Sequence, residues 1–206
     1  MIIDVMQHGE NDGLGSIAAW AQANDIELHV HRLDAGDDIR ALNQGDMDGI
    51  IILDGPMSVN DDDDWLAAER ILVRSMDKSG RPVFGIGLGA EQIVRAFGAP
   101  VFRGRAQSGF APVTELATNR EFTAFHLHDQ RMAELPGATQ LYTSKLTANL
   151  GFKYHAHILG MQFHLEVTPE QVQALGAELG TTFADSQIDY DQMHAELDQL
   201  LTRTFL

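Results

Sequence analysis

The chain has 206 residues, of which 44% are hydrophobic and 21% are charged. These proportions are ordinary for a globular protein, and the length suits one domain with room for a small insertion. The formal net charge is −16, from 14 basic and 30 acidic side chains. This charge argues against nucleic acid or an anionic membrane as a partner, because both are polyanions.

Cysteine is absent from the chain. This excludes disulfides, cysteine-ligated zinc and any thiol nucleophile. The N-terminus lacks the basic start and long apolar stretch of a signal peptide. No apolar run approaches the roughly 20 residues that span a bilayer. We therefore expect a single cytoplasmic domain over residues 1–206.

The first half of the chain alternates apolar runs with helical patterns. Strands are predicted at 2–6, 26–33, 49–55 and 82–86. Helices are predicted up to about residue 24, after Asp64 with Leu66, Ile71, Leu72 and Met76, and at 90–97. In the second strand, apolar residues alternate with polar ones and predict one buried face. The third is continuously apolar, as in a central parallel strand. Asp61–Asp64 are predicted to cap a helix rather than bind calcium, because the EF-hand spacing is absent.

The second half of the chain has a different pattern. Val101–Tyr154 shows short segments with scattered Gly and Pro, which predicts strands and loops, some of them antiparallel. A buried strand is predicted at Ile158–Glu166, then a helix from Pro169 and a terminal helix at Asp185–Phe205. The predicted fold is α/β: a mostly parallel sheet sandwiched by helices, flavodoxin-like, with extra antiparallel strands.

Four stretches end at predicted strand tips and would meet at one edge of the sheet. They are Leu53–Asp61, Gly85–Gln92, Phe125–Asp129 and Met161–Glu170. Together they resemble the class I, or triad, glutamine amidotransferases, and within that family the free-standing proteins similar to the amidotransferase domain of GMP synthase. The resemblance runs from the N-terminus to about residue 170.

The resemblance implies a catalytic triad. In the family, a cysteine attacks the side-chain amide of glutamine, a histidine activates the cysteine, and a glutamate orients the histidine. The matching positions are Gly87 for the nucleophile, His164 for the base and Glu166 for the orienting carboxylate. Residues i and i+2 of a strand point the same way, so we expect His164 and Glu166 to lie within hydrogen-bond reach.

The resemblance also implies a binding pocket. Gly55 and Leu88 match the backbone donors of the oxyanion hole. Glu91 and the loop Ser108–Phe110, with Gly109 at its centre, match positions that contact substrate. The expected ligand is glutamine or a related small amino compound, with a separate ammonia-acceptor protein and neither cofactor nor metal. We expect Gly87, Gly55, His164 and the 108–110 loop to line one cleft.

The sequence departs from the family at the centre of this site. Gly87 stands where the cysteine belongs, Glu91 replaces a glutamine, and Asp54 replaces the first glycine of the oxyanion turn. A route through an acyl-enzyme is therefore closed, and water activation by His164 alone gives only about 10²–10⁴-fold. We expect glutaminase activity to be absent or very weak, and Gly87→Cys to restore a thiol nucleophile. The alternative is a non-catalytic binding or regulatory module that retains the pocket.

A third hypothesis is a metal-dependent hydrolase. The chain has three His-x-His pairs, at residues 29/31, 126/128 and 155/157. On a strand, the two imidazoles of such a pair share a face and can bind a metal. A polar surface or loop role explains each pair more simply.

Overall fold

The computed structural model describes all residues, 1–206, and contains one nine-stranded sheet flanked by helices. In chain order the elements are β1 (Ile2–Gln7), α1 (Ile17–Ala23), β2 (Glu27–Arg32), β3 (Gly49–Ile52), α2 (Asp64–Lys78), β4 (Val83–Ile86), α3 (Leu88–Ala96), β5 (Val101–Glu115), β6 (Arg120–Met132), β7 (Thr139–Thr143), β8 (Gly151–Tyr154), β9 (Ile158–Met161), α4 (Pro169–Glu178) and α5 (Tyr190–Phe205). The α/β class is as predicted. No helix has the length and apolar character needed to cross a membrane.

The sheet is half parallel and half antiparallel. Its strand order is β2-β1-β3-β4-β9-β8-β7-β5-β6. The pairings from β2 to β9 are parallel, and those from β9 to β6 are antiparallel. The expectation of a mostly parallel sheet was therefore too strong. Residues 101–161 contain no crossover helix, and strands joined by short turns can pair only in the antiparallel sense.

Two hydrophobic cores cover the two faces of the sheet. Alternate residues of the central strands point into opposite cores: Ile51 packs with α1, α4 and α5, whereas Ile50 and Ile52 pack with α2 and α3. This alternation is the period of a strand, and burial on both sides explains why β3 is apolar throughout.

The strand β2 lies at the edge of the sheet, beside β1 alone. The predicted buried face on this strand is only partly present, because Leu28 is half-buried while Val30 is 37% exposed. The polar residues that alternate with them form ion pairs, such as His31 Nε2 with Asp4 Oδ1 at 2.6 Å.

Helix α3 approaches the sheet closely at Gly89. A Cβ atom added there would lie 2.1 Å from the carbonyl oxygen of Ile52 in β3. Backbone cannot give way as a flexible side chain can, so only glycine allows α3 to dock at this distance. This contact sets the position of the N-terminus of α3 above the ends of β3 and β4.

We expect Gly89→Ala to lower the free energy of unfolding by about 3 kcal/mol, as overpacking against a fixed backbone does. Gly13→Ala is the matched control, because its Cβ would meet nothing closer than 3.8 Å. Urea unfolding of both variants measures the difference. Equal stability of the two variants would show that α3 can shift without cost.

Candidate functional site

A tight turn joins β4 to α3 at Gly87. Its backbone has φ 54° and ψ −117°, a region that side-chain-bearing residues enter only at a cost of about 1–3 kcal/mol. The Gly87 N–H donates to the carbonyl of Met161 at 2.9 Å, which ties the turn to β9. This is the strand-turn-helix geometry that holds a nucleophile in other enzymes. Here glycine relieves the strain and supplies no reactive group.

The carboxylate of Asp54 occupies the space beside Gly87. A Cβ atom built on Gly87 would lie 2.3 Å from both Cγ and Oδ1 of Asp54. The same Oδ1 accepts a hydrogen bond from the Leu88 N–H at 2.7 Å. The side chain of Asp54 therefore lies where the side chain of a nucleophile would begin, and it engages one of the two expected oxyanion donors.

His164 lies between two carboxylates. Its Nδ1 is 2.7 Å from Glu166 Oε1, the predicted contact. Its Nε2 is 3.3 Å from Asp54 Oδ2, within ion-pair range but without hydrogen-bond geometry. All three residues are largely shielded from solvent, with 4%, 5% and 13% exposure for His164, Glu166 and the Asp54 side chain.

The His164–Glu166 contact does not arise from one continuous strand, as was expected from sequence. Strand β9 ends at Met161, and His164 instead forms an isolated antiparallel bridge with Phe125 of β6. The backbone hydrogen bonds of that bridge, at 2.8 and 3.1 Å, fix His164 in place. A second oxygen of Glu166 accepts the Leu165 N–H at 3.0 Å and orients the carboxylate.

The charges of this group stabilise one another. Burial disfavours the imidazolium of His164, but Glu166 and Asp54 outweigh it and raise the pKa of His164 well above its usual value. Burial also disfavours the anion of Asp54, yet His164 and the Leu88 N–H hold the pKa of that carboxyl below its usual range. The stable arrangement is carboxylate, imidazolium, carboxylate.

A cavity of about 390 Å³ opens beside the turn. Of the residues predicted to form the site, it is lined by Gly55, Gly87, Leu88, Glu91 and Ser108. The other predicted residues do not line it: His164, Glu166, Gly109 and Phe110. His164 lies behind Asp54, next to a separate space of about 10 Å³.

The segment Ser108–Phe110 is part of the long strand β5 rather than a loop. Gly109 has φ +88°, which interrupts the alternation of the strand. The ring of Phe110 consequently packs on Phe125 and Tyr190, with centroid distances of 5.2 and 5.9 Å. Only Ser108 of this segment reaches the cavity, so the predicted cleft is partly different from the one observed.

Glu91 is 3% exposed and lines the cavity. Its Oε1 accepts a hydrogen bond from Gln162 Nε2 at 2.7 Å. Burial, together with the charge of Asp54, raises the pKa of Glu91 to about 8. At neutral pH this carboxyl is mostly protonated, which makes it a neutral group like the amide it replaces.

The histidine pair at 126/128 lies next to the cavity but has no metal-ligand set around it. His126 Nδ1 is 3.4 Å from His128 Nε2, and Arg131 Nη1 donates to His128 Nδ1 at 3.0 Å. Burial and neighbouring charge lower the pKa of His126 to about 3 and that of His128 to about 4. Nowhere in the chain are three or more His, Asp or Glu side chains arranged to hold a metal ion.

Sequence reasoning missed the residues that hold the Asp54 turn. His8 Nδ1 lies 3.2 and 3.3 Å from the carbonyls of Leu53 and Asp54, and its Nε2 lies 2.9 Å from Glu69 Oε1. Burial opposes a charge on His8, but Glu69 and the two carbonyls outweigh it and raise its pKa. The available signal was Glu69 itself, a charged residue on the buried face of α2.

Two acidic residues of the cavity were missed as well: Asp12, in the loop after β1, and Glu178, at the end of α4. Asp129 of β6 also lines the cavity, and it ends the stretch Phe125–Asp129 that was expected at this edge of the sheet. Nothing in the local sequence marks Asp12 and Glu178, because their proximity arises only when the chain folds around the cavity.

Comparison with known proteins identifies the family. Residues 14–177 match the family model described as glutamine amidotransferase class-I. The chain belongs to the class I glutamine amidotransferases.

Individual relatives are distant. The glutamine amidotransferase-like protein YfeJ of Salmonella typhimurium is 24% identical over 203 residues, which cover 91% of this chain and 84% of YfeJ. A crystal structure of a glutamine amidotransferase from Methylobacillus flagellatus has a TM-score of 0.87 at 23% identity, covering 98% and 92% of the two chains. Another, of a glutamine amidotransferase from Thermotoga maritima, has a TM-score of 0.81 at 21% identity, covering 100% and 96% of the two chains. These structures share the fold.

We expect Asp54→Asn to lower the pKa of His164, because the imidazolium loses one of its two carboxylates. NMR titration of the His164 ring measures this shift, with Asp191→Asn as the control at an exposed carboxylate. Since the native pKa of His164 is raised and that of Asp54 is lowered, the ion pair adds stability between the two pKa values. This stability is lost as pH rises through the pKa of His164 and as pH falls through the pKa of Asp54. An unchanged His164 titration in Asp54→Asn would show that the two groups do not interact.

Proposed function

We propose that this chain is a class I amidotransferase-fold protein without glutaminase activity, which uses the family's pocket to bind a small amino compound. The observation that carries the proposal is the carboxylate of Asp54, which fills the space beside Gly87 and accepts the Leu88 N–H at 2.7 Å.

Each part of the family's reaction is obstructed by this arrangement. Gly87 offers no nucleophile. The Leu88 N–H is already engaged, so a tetrahedral oxyanion would have to displace a bound carboxylate. His164 is held as a cation between two anions, and an imidazolium has no lone pair with which to accept a proton. A chain that releases no ammonia also needs no ammonia-acceptor partner.

The cavity supports the binding part of the proposal. Its volume of about 390 Å³ falls in the range of small-molecule sites. It combines apolar walls, such as Met57 and Leu175, with several polar groups from different elements. The contacts of His8 with the carbonyls of Leu53 and Asp54 hold the Asp54 turn, one wall of the cavity, in place, which lowers the entropic cost of binding.

The test is ammonia release from glutamine. We expect none from the parent protein above the rate of its His164→Ala variant. Turnover by the parent that is lost in His164→Ala would contradict the proposal.

Engineered variants test why activity is absent. We expect Gly87→Cys alone to remain inactive, because its Cβ would collide with the carboxylate of Asp54; this revises the expectation from sequence. Gly87→Cys combined with Asp54→Gly and Glu91→Gln frees the space and the Leu88 N–H, and should release ammonia in a manner that depends on His164. Thermal unfolding establishes that each variant is folded. Activity in the single variant equal to that in the triple variant would show that Asp54 does not obstruct the site.

A further inference from the structure

The carboxylate of Asp54 is placed as a nucleophile at this turn would be. It lines the cavity of about 390 Å³, and its Cγ lies 2.3 Å from the position of a Cβ atom on Gly87. Its Oδ1 accepts the Leu88 N–H at 2.7 Å, and its Oδ2 lies 3.3 Å from Nε2 of His164. A carboxylate is the nucleophile in several classes of enzyme, so the loss of a thiol does not remove every reactive group from the site.

A space for one water molecule lies next to the same carboxylate, apart from the large cavity. Its volume of about 10 Å³ is close to the smallest that holds a water. The polar residues that line it are Asn11, Asp12, Asp54, His164, Glu166 and Gln171. His164 is 4% exposed, and its Nε2 has no hydrogen-bond partner. A water in this space would adjoin both the imidazole and the carboxyl group of Asp54.

Glu91 is placed to donate a proton into the cavity. Its N–H donates to the Gly87 carbonyl at 3.2 Å, so it lies one helical turn beyond the turn that Asp54 contacts. Side chains with this spacing are neighbours, with about 5–6 Å between their Cβ atoms. Burial and the charge of Asp54 raise the pKa of Glu91 to about 8, so its carboxyl holds a proton at neutral pH. Gln162 Nε2 donates to Oε1, which leaves Oε2 to carry that proton.

The lining of the cavity selects the class of electrophile. Five lining residues are carboxylic acids and none is lysine or arginine, so a leaving group released as an anion would meet negative charge without a counter-ion. A neutral electrophile whose leaving oxygen takes up a proton avoids this cost. An epoxide has this property, because its ring oxygen becomes a hydroxyl group that stays attached to the product.

We propose that the site hydrolyses a small neutral epoxide to a diol, with Asp54 as the nucleophile, Glu91 as the acid and His164 as the base. This inference goes beyond the proposed function, because it assigns a reaction to the cavity. It uses the contact that obstructs the glutaminase reaction, the carboxylate of Asp54 beside Gly87, as the reactive group of a different one.

The first step forms an ester. Oδ2 of Asp54 attacks a ring carbon, the bond from that carbon to the ring oxygen breaks, and the oxygen takes the proton of Glu91. Esterification removes one of the two negative charges that raise the pKa of His164. The imidazolium therefore releases its Nε2 proton, which returns to Glu91 through solvent, and Nε2 gains the lone pair that a base needs.

The second step hydrolyses the ester. His164 takes a proton from the water beside it, and the hydroxide adds to Cγ of Asp54. The Leu88 N–H already donates to Oδ1 and stabilises the oxyanion that forms there. The bond between Cγ and Oδ2 then breaks, and His164 gives its proton to the departing diol oxygen. Asp54 is left as the acid and passes its proton to His164, so one epoxide and one water have become one diol.

A single turnover of styrene oxide in heavy-oxygen water, with the protein in excess, tests the nucleophile in the parent protein. We expect an unlabelled diol, because its new oxygen comes from Asp54. We also expect one heavy oxygen in the Asp54 peptide, measured by mass spectrometry after digestion. A labelled diol with unlabelled Asp54 would show direct attack by water and would overturn the inference.

Variants separate the two steps. His164→Gln should stop the second step, so the peptide that contains Asp54 gains the mass of one styrene oxide. Asp54→Asn should form neither ester nor diol, and Glu91→Gln should slow ester formation by about 10²-fold. The matched control Asp191→Asn removes an exposed carboxylate outside the cavity and should keep the parent rate within about twofold. Thermal unfolding establishes that each variant is folded, and equal loss in Asp191→Asn and Asp54→Asn would overturn the inference.

The two proposals fail separately. If the parent protein forms no diol above the rate in buffer, and His164→Gln forms no ester on Asp54, the epoxide inference is overturned and the absence of glutaminase activity stands. Ammonia release from glutamine by the parent protein would overturn the proposed function instead.

Discussion

The carboxylate of Asp54, held between the Leu88 N–H and the ring of His164, is the interaction on which the rest of the site depends. A buried anion costs several kcal/mol unless it is paired and hydrogen-bonded. Here the cation, the backbone donor and the space left by Gly87 together remove that cost. Under the proposed correspondence with the family, the same three features would serve a nucleophile and its oxyanion; here they stabilise a permanent carboxylate.

The neighbouring acids respond to this fixed charge. Burial and Asp54 raise the pKa values of Asp12 and Glu91 to about 7 and about 8. Both groups therefore titrate near neutrality, where a change of ligand can shift their protonation. Asp54 can act on Asp12 and Glu91 because the parallel strands that precede them, β1, β3 and β4, end at one edge of the sheet.

The parallel half of the fold could be predicted from sequence because its strands and helices have clear periodicity. The contact between His164 and Glu166 was also predicted, although a bridge to Phe125 rather than a continuous strand holds it. The antiparallel half was underestimated, since strands in hairpins carry a weaker local signal. Predicting where the Asp54 carboxylate lies requires the conformations of two turns, the one after β3 and the one at Gly87. No sequence pattern within either segment contains that information.

Asp54 and Gly87 both differ from the residues expected in the family, and the two differences are explained together. The Asp54 carboxylate occupies the space that a side chain at position 87 would need. In the observed conformation a Cβ atom at position 87 would lie 2.3 Å from the Asp54 carboxylate, so a side chain there would force the aspartate out of its contact with the Leu88 N–H. With glycine at both positions, the turn would leave a void and an unpaired N–H beside a buried imidazole, which also costs stability. The effects of the two residues are therefore non-additive, as expected for groups in direct contact. The aspartate therefore stabilises the glycine-containing turn, and under the proposed function a reactive side chain at position 87 would require a change at position 54 as well.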